Sequence, residues 1–166
     1  MRPVIPSSEA VRSGRPATLK SLVERLVDGL QREAADCDRP LPRLVVDVAA
    51  DHRLPADAAA LRSLVESGLR AAVQAAAASG TMARTGEVVI TSVEYPGRLE
   101  LEIADTGPGR EERQTPAGRF ADAMQAAAEH RLLDRLAASA RFDDCPEGGM
   151  ALTYSMPLAA AHRAAA

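Results

Sequence analysis

Residues 100–113 read ELEIADTGPGREER: an alternation of polar and apolar residues runs to Asp105 and breaks there into Thr106, Gly107, Pro108 and Gly109. A carboxylate accepts hydrogen bonds from N–H donors, and glycine alone lacks the Cβ that would hold the backbone off a neighbour. A strand that stops at an acid and two glycines therefore brings main chain close to something, and a nucleotide is the ligand this pattern raises. A turn of purely structural use is the plain alternative, because Asp-Gly turns commonly end strands. A dinucleotide-binding glycine loop is rejected: Glu112 stands where the third glycine would be, and no helix begins at once.

The other chemistry-bearing residues are scattered. Cys37 and Cys145 stand far apart with no CxxC, which suits a reducing compartment, and His52, His130 and His162 show no metal-ligand spacing among themselves or with the cysteines. His52 reads as a turn residue, His130 as a surface residue beside Arg131, and His162 as part of the tail, so none reads as a phosphorylation site. No GxSxG supports serine-nucleophile chemistry. A net charge of −3 offers no field for nucleic acid, and two Phe, two Tyr and no Trp leave little for base stacking. No apolar run reaches the ~20 residues that span a bilayer, and the N-terminus lacks the apolar stretch of a signal peptide. A cytoplasmic protein without membrane contact is expected.

These side chains need a scaffold, and the periodicities supply one. Leu19, Leu22, Val23, Leu26, Val27 and Leu30 lie at helical spacing behind Thr18, a candidate N-cap. After the breaker DRPLP, RLVVDVA reads as a short strand, and Asp57 is placed to cap a long helix from Ala58 to about Ser79 that Gly80 closes. Leu61, Leu64, Val65, Leu69, Ala72, Val73 and Ala76 line one side of that helix, and Arg62, Glu66, Ser67, Arg70 and Gln74 line the other. EVVITSVEY and RLELEIAD form a hairpin about Pro96 and Gly97, with Leu99, Leu101 and Ile103 on a buried face and Glu100 and Glu102 on a wet one. RFADAMQAAAEHRLLDRLAASA reads as a third helix, and ARFDDCPEGGMALTYSMP as two short strands about a Pro-Glu-Gly-Gly turn.

The chain of 166 residues is the size of one domain. Residues 1–16 are expected to be a flexible leader, 17–158 the domain and 159–166 a flexible tail. The order helix, strand, helix, strand, strand, helix, strand, strand implies an α+β fold: a two-layer α/β sandwich whose mixed five-stranded sheet carries three helices on one face.

That element order, with DTGPG at its centre and GGMALTYSMP as its closing strand, resembles the GHKL superfamily, the ATP-binding domain shared by gyrase, heat-shock chaperones, sensor histidine kinases and MutL. Within it the histidine-kinase and anti-sigma-factor branches are most similar. The resemblance covers roughly residues 17–157 and implies the Bergerat, or histidine-kinase-like ATPase, fold. In the family the aspartate accepts a hydrogen bond from the adenine amino group, and the glycines let the chain pass close to the base. Carried over, the nucleotide-binding residues are Asp105, Gly107 and Gly109, with Arg70 and Thr153 as further candidates.

The catalytic half of the family pattern fits less well. The position that orients or activates the reacting group falls on Ser67, the asparagine that holds Mg²⁺ falls on Ala71, and the basic residue that meets the phosphates falls on Gln74. Ala71 offers magnesium no oxygen, so metal is expected to bind weakly or not at all. Ser67 is a poor base near neutral pH. Glu66 replaces it only in a shifted register, since one residue back is about 100° around the helix. Arg70 is a fixed cation for phosphates, or else belongs with Glu66 and Gln74 to a solvated face. Where the family gathers phosphates in a glycine-rich box, Ala127 and Glu129 stand, and Thr115, Gly118 and Arg119 are a reduced cradle at best. The resemblance thus implies an ATP- or ADP-binding domain of bacterial-type signalling, its adenine half kept and its phosphate half degenerate, with weak or no kinase turnover. A protein partner is implied: a kinase, a response regulator or a sigma-pathway protein. The alternatives are an active stand-alone kinase of histidine-kinase or anti-sigma type, and a nucleotide-free docking module.

Overall fold

Thr18 starts α1 (Leu19–Asp36) through a capping box: its Oγ1 accepts from the N–H of Ser21 at 3.2 Å, and its own N–H donates to Ser21 Oγ at 3.1 Å. The helix stops at Asp38, which takes φ of 50° and lets the N–H of Arg39 close on Ala34 O at 2.9 Å. The computed structural model describes residues 18–79, 86–109, 128–146 and 148–158. The expected leader and tail, Gly80, the Thr115, Gly118 and Arg119 cradle, Ala127 and the first part of the third helix lie outside the described residues.

After α1 come β1 (Arg43–Asp47) and α2 (Ala58–Ser79). Asp57 caps α2 as its sequence position suggests, its Oδ1 accepting from the N–H of Ala60 at 2.9 Å. The hairpin is β2 (Glu87–Tyr95) and β3 (Arg98–Asp105), turned by Gly97 at φ of 76°. The described part of α3 is residues 128–136, followed by β4 (Ser139–Asp144) and β5 (Met150–Pro157). The third helix is shorter at its end than its alanines suggest. Ala137 takes φ of 49°, and the N–H of Ala138 closes on Leu133 O at 2.9 Å, so the chain leaves the helix without a glycine and enters β4.

The strands form one sheet in the order β1-β2-β3-β5-β4, with β1 parallel to β2 and every other pairing antiparallel. The architecture is the expected α+β one, a mixed five-stranded sheet with three helices. Strand alternation turns Val88, Ile90, Leu99, Leu101, Ile103, Leu152, Tyr154 and Met156 toward the helices, where they form one core with Leu22 and Leu26 of α1, Leu61, Leu64 and Leu69 of α2 and Leu136 of α3. Aliphatic side chains fill it, as the composition requires. Tyr154 is the aromatic exception: it is 1% exposed, its hydroxyl reaches Leu64 O at 3.4 Å, and burial pushes its phenol far above the ordinary value.

Candidate functional site

Asp105 ends β3 on the helix-facing side of the sheet, beside Val88 of β2 and Met150 of β5. It is 5% exposed, and its Oδ1 accepts from the N–H of Gly107 at 2.8 Å. Next to it Thr106 clamps the start of β2: its N–H donates to Glu87 O at 3.1 Å, and its Oγ1 accepts from the N–H of Glu87 at 2.9 Å. The turn is thus held to the sheet through its polar residues before the glycines begin.

Two glycines explain why the chain can close here. A Cβ on Gly107 would stand 2.7 Å from the carbonyl carbon of Ala75, so the turn lies directly against the C-terminal half of α2. Gly149, at φ of 90°, passes so close that a Cβ would collide with the carbonyl oxygen of Asp105. The Gly-Gly pair that the sequence shows before the closing strand is therefore the floor under Asp105. Gly109 lies beside Asp144 at the end of β4.

One flank of α2 runs from this turn to α3. Ser67 is half-buried, and its Oγ donates to Glu129 Oε1 at 2.7 Å. Ala71 and Gln74 are exposed along the same flank, and Ala75 reaches the turn. From Ser67 to Ala75 is eight residues, or roughly 12 Å of helix. The structure therefore brings Asp105, Gly107, Ser67, Ala71 and Gln74 along one side of α2, with Glu129 at the far end, while Gly109 lies against Asp144 of β4.

Other candidate residues lie elsewhere. Arg70 turns to α1, where it pairs with Glu33 at 2.9 Å, and it pairs with Glu66 at 3.3 Å along its own helix. The Glu33 hydrogen bond, more than Glu66, holds its charge firmly in place. Glu66 is accordingly on the α1 flank and not beside Ser67. Thr153 pairs with Glu102 across β5 and β3, and its hydroxyl donates to Glu102 Oε2 at 3.4 Å. That puts it on the sheet face opposite the Asp105 side chain, away from the site. The pleat decides faces by parity, and Thr153 is out of step with Leu152 and Tyr154, which face the helices.

Among the described residues, His52, His130 and the two cysteines do not join either. His52 Nδ1 contacts Ser92 Oγ at 2.7 Å, and its carbonyl accepts from the N–H of Leu19, tying the loop before α2 to β2 and α1. His130 lies 3.8 Å from Asp134 on the solvent side of α3. Cys37 is exposed at the end of α1 and Cys145 lies in the β4–β5 turn. Among the described residues no group of three or more His, Cys, Asp or Glu is placed to hold a metal.

Two contacts were not legible in the chain. Glu129 meets Ser67 across 62 residues of sequence, and Arg135 of α3 pairs at 2.7 Å with Asp57 at the start of α2. Only the presence of an acid near the glycine-box position hinted at the first.

No family model matches the sequence, and no curated protein sequence matches it. Solved structures do. The nucleotide-free catalytic domain of histidine kinase ThkA superposes with a TM-score of 0.66 at 14% identity, over 84% of this chain and 92% of that one. The histidine kinase domain of the blue-light activated kinase of Erythrobacter litoralis gives 0.57 at 18% identity, over 89% and 67%. Full-length ShkA in complex with AMPPNP gives 0.64 at 20% identity, over 93% of this chain and 33% of that one. ThkA has also been solved in complex with the response regulator TrrA, and there the TM-score is 0.64 at 12% identity. The chain has the GHKL-like ATPase fold of histidine-kinase catalytic domains.

Proposed function

We propose that this chain is an adenine-nucleotide-binding domain of bacterial-type signal transduction whose phosphoryl-transfer machinery is weak or lost. Asp105 carries the reading. It is a buried carboxylate at a strand end, beside a glycine that presses against α2, which is the arrangement suited to accept from an exocyclic amine while main chain lies against a base. Asp105, Gly107 and Gly109 would hold the adenine. The magnesium half does not fit: Ala71 has no oxygen, and Ser67 is bonded to Glu129.

A kinase of this fold has been solved with its response regulator, and that supports a protein partner of the same kind, whether a kinase, a response regulator or a sigma-pathway protein. The cytoplasm is the compartment this reading assigns. No helix among the described residues is long and apolar enough to cross a membrane.

Calorimetric titration with ADP and ATP, with and without Mg²⁺, tests the proposal. Binding should occur and be little changed by Mg²⁺. A hydrogen bond to a charged group contributes about 1.5–3 kcal/mol, so Asp105→Asn should weaken ADP about tenfold or more. Absence of heat at millimolar ADP sinks the nucleotide reading and leaves a docking module. Tight Mg-ATP binding with phosphate transfer to a protein sinks the loss of turnover.

A further inference from the structure

β4 ends the sheet: it pairs with β5 on one side, and among the described residues no strand pairs with the other. Five of its six residues are exposed, including Phe142 at 41%. Edges of this kind carry a row of main-chain donors and acceptors, and proteins commonly blunt them with charged side chains, a proline, a bulge or a covering element. Of these β4 carries charges, Arg141, Asp143 and Asp144. β4 contains no proline, and its register against β5 runs without a slip from Ser139 opposite Ser155 to Asp144 opposite Met150.

The ladder also shows which groups point outward. The N–H of Cys145 donates to Gly149 O at 3.1 Å, which makes these two a hydrogen-bonded pair directly after the pair Asp144 and Met150. Bonded and non-bonded pairs alternate in an antiparallel ladder, so Ser139, Arg141 and Asp143 aim their main-chain groups at β5. The N–H and C=O of Ala140 and Phe142 therefore aim away from it.

We propose that this edge pairs antiparallel with β4 of a second copy of the chain, centred on Phe142. A two-fold axis normal to the sheet allows only registers in which facing residues share a face. Centring on Arg141 or Asp143 sets like charges against each other. Centring on Phe142 places it opposite its own copy as a hydrogen-bonded pair, with Ala140 opposite Asp144 of the second copy. Arg141 then faces Asp143 of the second copy, twice by symmetry, at the non-bonded positions where side chains stand closest. Within one chain Arg141 and Asp143 already pair at 2.7 Å, both exposed, so association exchanges one partner for another and strands no charge. The half-exposed Phe142 rings cover each other on the helix-facing side.

Light scattering on the 166-residue chain up to about 1 mM should show reversible association to twice the chain mass. R141D alone, or D143R alone, sets like charges opposite at both positions and should weaken association about tenfold or more. An equimolar mixture of R141D and D143R should form a heterodimer, because each then supplies the other's complement. The double variant R141D/D143R should self-associate like the natural chain, and circular dichroism checks that each variant is folded. A natural chain monomeric throughout overturns the proposal, as do single variants that associate undiminished or a mixture that fails to combine.

Discussion

At the scale of single residues, the decisive atom is Oε1 of Glu129. It accepts from Ser67 of α2, and it brings a carboxylate to the end of the α2 flank that leads away from Asp105. On the proposed reading, a triphosphate whose base meets Asp105 extends along that flank toward negative charge, while a nucleoside stops short of it. Exposed charge pairs are worth up to about 1 kcal/mol, so Glu129→Gln should tighten ATP about fivefold and leave adenosine nearly unchanged in the same titration. Equal effects on the two ligands would show that Glu129 does not stand at the phosphate end. Arg70 does not offset this charge, because its guanidinium is committed to Glu33 and Glu66 on the other flank.

At the scale of elements, the turn after β3 is held by what packs around it. β5 enters beneath Asp105 through Gly149, whose positive φ and contact with the Asp105 carbonyl tolerate no side chain. Gly149→Ala adds both backbone strain and a backbone collision that no rotamer relieves, so it should cost at least about 3 kcal/mol in urea unfolding. Gly97→Ala provides the contrast, having positive φ but open space around its Cβ position, and should cost only about 1 kcal/mol. If the two variants prove equally stable, β5 does not hold Asp105 from below. The Gly-Gly pair could be read from the chain as a closing-strand signature. Its contact with a residue 44 positions earlier could not, because local periodicity carries no information about which strand ends meet.

At the scale of the whole molecule, Asp57 links two helices. Its carboxylate caps α2 through Ala60 and pairs with Arg135 of α3, and these bonds, the Ala60 one foremost, hold its pKa below the ordinary carboxylate value. The folded pKa is lowered relative to the unfolded chain, so the stabilisation is present above about pH 4 and is lost as pH falls through the folded value. Unfolding midpoints followed from about pH 7 to about pH 3 should therefore drop on the acid side, and Asp57→Asn should flatten that drop. An unchanged acid limb in the variant would place the linkage on other carboxylates.

By itself the sequence determined the order of the elements and the buried faces of α1, α2 and β3. Thr18 and Asp57 start helices, Pro96 and Gly97 turn a hairpin, and the alternation of Leu99, Leu101 and Ile103 picks the buried side of β3, because caps, turns and periodicity act within a few residues. It also marked DTGPG as a turn of close approach. The tertiary structure alone decided what that turn approaches: Ala75 of α2 on one side and Gly149 beneath. It alone put Thr153 on the opposite sheet face, turned Arg70 to α1, ended α3 at a left-handed alanine and brought Glu129 to Ser67. Each of these depends on strand register or helix docking, which contacts between residues distant in the chain select.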